Sequence, residues 1–228
     1  MTAGNLRMEC VEGITRCIAT ETISQFFITQ AGPYLDNGRN DVVKTFCDPR
    51  VRERCTHLLM VDSDIGFTPQ DVIDIYEASN EEGHQRAVVC GVYYSAWDNV
   101  AKPVVYEWGE TPQGLKTLNV IEEWEDGWSF WNTKPNREGL DPLVKVEAAG
   151  AGFMMIRYEV IDVLAKVFGD PQPWFSEPVI DGIHYGEDLA FCQRVKDSGF
   201  SVWAHRGVEL AHFKTTLVGP IPGSRVVP

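Results

Sequence analysis

Apolar positions along this chain recur at two periods, and the switches between them mark its elements. Val11, Ile14 and Ile18 recur at helical spacing after Asn5, a capping residue, and a strand is expected around Gln25 to Thr29. A helix this early implies that the strand expected before it is missing. "YLDNGRNDVVKTFCDP" predicts a turn, a helix that packs Val42, Val43 and Phe46, and a stop at Pro49. The run His57 to Val61 reads as a buried strand. "FTPQDVIDIYEA" starts a helix, with Thr68 at the cap, Pro69 at the first helical position and Asp71 in a capping-box role. "AVVCGVYY" is a further buried strand. This alternation predicts an α/β fold in which helices flank a mixed, mostly parallel sheet with right-handed connections and ligands at the strand ends.

The pattern changes between about residues 95 and 143. Trp97, Trp108, Trp124, Trp128 and Trp131 are scattered there among Pro, Gly and acids, and "KPVVYEW" and "LKTLNVIEE" read as short strands around "TPQG". We read this as a small β-hairpin insertion whose tryptophans either cover the sheet or grip a substrate. "LVKVEAAGAGFMMIR" is strand-like, a helix starts at Tyr158, a loop runs through "GDPQPWFSEPVIDGIHYGED", and a helix near Asp188 to Asp197 precedes the short strands "SVWAH" and "VELAH". No repeat or linker divides the 228 residues, which are read as one domain.

Charge and cysteine usage narrow the function. A formal net charge of -13 argues against a nucleic-acid partner, because phosphate binding rests on clustered Lys and Arg. The short basic groups at Arg50 to Arg54 and Arg194 to Lys196 are interrupted and read as solvated faces. Six cysteines show neither CxxC pairing nor zinc spacing, which fits a reducing cytosol. No stretch has the ~20 apolar residues of a membrane span, and no signal-peptide pattern opens the chain, so a cytoplasmic location is expected.

Two acidic stretches are candidates for chemistry. In "VDSDIG", Asp62 and Asp64 follow a buried strand and, at i and i+2 of an extended segment, point the same way. Two hard anionic ligands suit Mg²⁺ or Mn²⁺; equally, "DSDIG" is good turn sequence. In "YGEDLAFCQRV", Glu187 and Asp188 open a helix, where either a structural cap or a general base is served. His205 and His212 end short strands, places where histidine is more often structural. "AAGAGFMM" lacks the third glycine and the following helix of a dinucleotide fingerprint, so Gly150 and Gly152 are read as permitting a bulge or close approach of the backbone to a ligand.

The stretches "GRNDVVKTF", "THLLMVDSDIGFTPQDV", "VVCGVYY", "VEAAGAGFMMIRYEV", "PWF", "YGEDLAFCQRVKDSGFSVWAH" and "VELAHF", in this order, resemble the GT-A fold glycosyltransferases, and among them the small family-two-like enzymes of phages and large viruses. The resemblance implies that Asp62-Ser63-Asp64 is a DxD motif. Asp64 would bind Mn²⁺ or Mg²⁺ bridging the diphosphate of a nucleotide sugar, Asp62 would face the ribose or the metal's waters, and His212 would be a further ligand. It implies Arg39 near the donor nucleotide, Gly150, Ala151 and Gly152 along the donor sugar, Trp174 and Phe175 facing the acceptor, and Asp188, with Glu187 beside it, as the base of an inverting transfer. The family's apolar first strand is missing, since only Met1 to Gly4 precede the first helix; either the start is truncated or another segment fills the gap.

The expected activity is therefore metal-dependent transfer of a sugar from a nucleotide-diphosphate donor to an acceptor hydroxyl on a glycan, protein or lipid-linked molecule. The alternatives are a sugar nucleotidyltransferase, whose glycine-rich basic loop is not visible, and a non-catalytic sugar- or glycan-binding module on the same fold.

Overall fold

A computed structural model describes residues 6–29, 34–80, 86–97, 100–112, 114, 116–126, 140–169, 174–180 and 183–213. Its helices are α1 (Met8–Ala19), α2 (Leu35–Phe46), α3 (Pro49–Arg52), α4 (Pro69–Asn80), α5 (Tyr158–Phe168) and α6 (Glu187–Asp197). The early strands are β1 (His57–Val61), β2 (Ile65–Gly66) and β3 (Val88–Trp97), followed by β4 (Val100–Pro103), β5 (Val105–Glu110) and β6 (Lys116–Val120). Later come β7 (Leu143–Val146), β8 (Ala148–Ala149), β9 (Phe153–Arg157), the short pair β10 (Val179–Ile180) and β11 (Ile183–His184), and β12 (Val202–His212).

The central sheet runs β1-β9-β3-β12-β2, with β4 on β3 and β7 on β12. Period-two side-chain alternation divides its core in two. Leu58, Met60, Val88, Cys90, Met154 and Ile156 face α2, α5 and α6, while Val89, Tyr93, Phe153 and Met155 face α1 and α4. The predicted helix/sheet/helix layering is therefore present, but the sheet is not mostly parallel. Among the described strands only β3 and β12 pair in parallel; the other pairings are antiparallel. β1 and β3 do share a direction, as the strand-helix-strand alternation requires. β9, the "FMMIR" segment, enters between them and runs against both.

Other expectations differ locally. Gln25 to Thr29 forms no strand. "SVWAH" and "VELAH" are one strand, β12, whose register against β3 shifts between His205 and Glu209. The extra residues there include Arg206, a buried guanidinium whose Nη1 donates to Asp126 at 2.9 Å and whose Nε donates to the Asp141 carbonyl, tying the insertion to the sheet. The hairpin exists as β5-β6, joined by β8. Trp124 packs on the core, as a tryptophan covering the sheet does, whereas Trp108 is exposed; Trp128 and Trp131 lie outside the described residues, as does Asn5. All six cysteines are free thiols, and among the described residues no helix is long and apolar enough to cross a membrane.

The capping box at α4 forms as predicted: the Thr68 N–H donates to Asp71 Oδ2 at 2.7 Å, and the Asp71 N–H to Thr68 Oγ1 at 3.3 Å. Thr68→Ala is expected to lower the unfolding free energy by about 1 kcal/mol, with Thr68→Ser close to wild type, in chemical denaturation.

Candidate functional site

The site is assembled where β1, α2, α6 and the turn before β9 converge. Arg39 projects from α2 and spends its guanidinium on three of these. Its Nε donates to Glu187 Oε1 at 3.0 Å, Nη1 to the Ala151 carbonyl at 2.8 Å, and Nη2 lies 3.4 Å from Asp62 Oδ1. The side chains of Arg39 and Glu187 are 10% and 8% exposed, so this is a buried ion pair that holds the start of α6 against α2. Burial alone would lower the Arg39 pKa; the carboxylates of Asp62, Glu187 and Asp188 outweigh it and raise the pKa above its ordinary value.

Glycines 150 and 152 serve a close approach, but its near partner is protein. A Cβ on Gly150 would lie 2.1 Å from the Tyr93 hydroxyl oxygen, and one on Gly152 would lie 2.8 Å from the Tyr93 ring. The Gly152 N–H donates to that hydroxyl at 3.2 Å, and the Gly152 carbonyl accepts the Asp62 N–H at 2.9 Å. Tyr93 thus fixes the turn that presents the Ala151 carbonyl to Arg39. Its role was not read from the sequence, where it is one aromatic residue in an apolar strand.

Asp64 belongs to a neighbouring pair. After the turn at residues 62–65, β2 pairs with the end of β12, His212 opposite Ile65. His212 Nε2 comes 3.3 Å from Asp64 Oδ2, and its Nδ1 is 2.6 Å from the Tyr94 carbonyl. A carbonyl only accepts, so Nδ1 carries the proton, and in neutral imidazole Nε2 is a lone pair facing a carboxylate. That contact is favourable only with a positive charge between or on the two groups. An imidazole oriented through one nitrogen by a backbone carbonyl, with the other aimed at an acid, suits either a His⁺–Asp ion pair or a cation held between the two groups. Among the described residues no three His, Cys, Asp or Glu side chains gather around one point, so a cation here would have two protein ligands and complete its shell with water or ligand oxygens. Asp62, expected at the metal, also lies against Arg39, and the Ser63 carbonyl accepts the Arg7 N–H at 2.9 Å.

Asp188 lies on the first turn of α6 with its Oδ1 accepting the Leu189 N–H. Burial, and then the neighbouring Glu187 charge, push its pKa up to about 6. It is therefore ionised at neutral pH but more basic than an ordinary carboxylate, as a general base requires.

Trp174 and Phe175 are not at an open surface. Phe175 is fully buried, stacked on Phe191 with ring centroids 4.5 Å apart, and the Trp174 indole donates to the Ile161 carbonyl. Asn40 grips this loop from both sides, donating to the Phe175 carbonyl at 2.8 Å and accepting the Phe175 N–H at 3.1 Å. These rings anchor the loop instead of presenting faces to an acceptor. The "RN" pair carried the signal for Asn40, since a polar residue beside Arg39 falls on a helix face that is otherwise buried.

A carboxylate whose folded pKa is raised contributes most stability below its unfolded pKa of about 3.8, and that contribution is lost as pH rises through about 6. Asp188→Asn is accordingly expected to be more stable than wild type at pH 7, on the order of 1–2 kcal/mol, with the difference vanishing below pH 4. Denaturation of the metal-free protein across this pH range checks it.

No family model matches the chain, and no curated protein matches it. Among solved structures, the crystal structure of A197 from STIV superposes with a TM-score of 0.51 at 18% identity, over 94% of this chain and 83% of that one. At this identity the likeness shows the fold alone, a GT-A-like mixed α/β sheet flanked by helices.

Proposed function

We propose that this protein is a cytoplasmic, metal-dependent glycosyltransferase that moves a sugar from a nucleotide-diphosphate donor to an acceptor hydroxyl with inversion. The observation that carries the reading is the Asp64–His212 pair, an acid and an oriented imidazole 3.3 Å apart, lying next in the chain to the Arg39–Asp62 contact in a fold of GT-A type. Mn²⁺ or Mg²⁺ fits that donor set, because both keep most of their shell for water and phosphate oxygens. When bound, the ion would supply charge neutralisation for a diphosphate leaving group.

The chain's own residues would divide the remaining work. Asp64 and His212 Nε2 hold the cation. Arg39 keeps Asp62 and the Ala151 carbonyl fixed beside it, and Gly150 to Gly152 bound the space for the donor sugar. Asp188 takes the acceptor hydroxyl proton onto its carboxylate as that oxygen bonds to the anomeric carbon and the bond to the diphosphate breaks. Glu187, committed to Arg39, serves as the support of this base and not as a second one.

The test is hydrolysis or transfer with a panel of UDP-, GDP- and TDP-sugars in the presence of Mn²⁺. Asp188→Asn is expected to lower kcat by about 10²- to 10⁴-fold while leaving donor affinity nearly unchanged. Turnover unaffected by the substitution contradicts the base assignment, and sugar binding without turnover in wild type points to a binding module on the same fold.

A further inference from the structure

The outer edge of β1 is the unfinished part of this fold. Asp62 donates its N–H to the Gly152 carbonyl and Thr56 accepts the Tyr158 N–H, so the even-numbered backbone positions of β1 face β9. His57, Leu59 and Val61 therefore turn their N–H and C=O groups outward, where among the described residues no strand pairs with them. A cavity of about 600 Å³ lies along this edge. Val42 and Phe46 of α2 wall it on one side, Ile14 of α1 and Val72 of α4 on the other, and Arg39, Asp62 and Ser63 stand among its lining residues.

The chemistry of this slot selects its occupant. An apolar chain or a flat ring would satisfy the walls but leave the outward backbone groups without partners. A strand satisfies walls and edge together. We propose that Gln25–Thr29 is that strand, and that it closes onto the outer edge of β1. Five residues match the five of β1. The run Phe26-Phe27-Ile28 is apolar on both sides, as suits a strand covered on both faces. Yet Phe26 and Ile28 are 55% and 65% exposed, and residues 23–29 already line the cavity. A second cavity of about 470 Å³, lined by Ile18, Phe26, Phe27 and Val51, lies against the same segment, in which Phe27 packs on the core while Phe26 and Ile28 stand exposed. Being tethered between α1 and α2, it competes for the edge at high effective concentration. Closure buries both exposed side chains, pairs the edge, and walls the site beside Asp62 and Ser63. The proposal stands whether or not the site transfers a sugar.

NMR on the full chain tests it. Cross-strand NOEs between the Leu59 or Val61 amides and the backbone of Gln25–Thr29 are expected. Those two amides should exchange with solvent at least about 100-fold more slowly than in Phe27→Pro, with the inward Met60 amide equally protected in both proteins as the folding control. Absent NOEs, or Leu59 and Val61 exchanging as fast as open amides, overturn the proposal. So does protection that survives Phe27→Pro, or that rises with protein concentration, since either assigns the strand to another segment or another copy.

Discussion

The site depends on one buried guanidinium. Arg39 joins α2 to the first turn of α6, to the turn preceding β9 and to the end of β1. Without it Glu187 would be an uncompensated buried charge, a state that costs about 3–5 kcal/mol. The pairing also explains the division of labour between adjacent acids. Glu187 is neutralised by the arginine, whereas Asp188 keeps a perturbed carboxyl that is raised in part by Glu187 itself.

Sheet topology then brings Asp64 and His212 together. β9 inserts between β1 and β3 and delivers the glycine turn beside Asp62, with Tyr93 from β3 filling the space that side chains on residues 150 and 152 would occupy. β12 runs the length of the sheet, shifts register at Arg206, and ends by pairing with β2, the strand that directly follows Asp64. His212 thus reaches Asp64 because of a strand pairing that spans almost 150 positions of sequence. No local pattern could have measured that approach.

What the sequence made legible was what short-range physics governs. The capping box of α4 follows from its residue types, the bounds of β1 and the starts of α5 and α6 follow from periodicity, and the structure has them. The parallel sense of the sheet did not follow, because the alternation of strands and helices is silent about a later strand entering between two earlier ones. Burial of Trp174 and Phe175 was illegible for a related reason: the partners that turn them inward are the Ile161 carbonyl, Phe191 and, 135 positions from Phe175, Asn40, and no local pattern in the loop names them. Gln25 to Thr29 is the opposite case, strand-like in sequence and without a strand partner in the fold. Its composition and the bare edge of β1 are two halves of one unsatisfied constraint.

The central claim is that Asp64 and His212 form a cation site serving a diphosphate. Calorimetric titration of the purified protein with UDP, GDP and TDP, with and without Mn²⁺, tests it directly when repeated on Asp64→Ala and His212→Ala. The expected result is one nucleotide that binds only with Mn²⁺, and with affinity at least about tenfold weaker in either variant. Nucleotide binding indifferent to Mn²⁺ and to both substitutions, or no binding at all, would contradict the account.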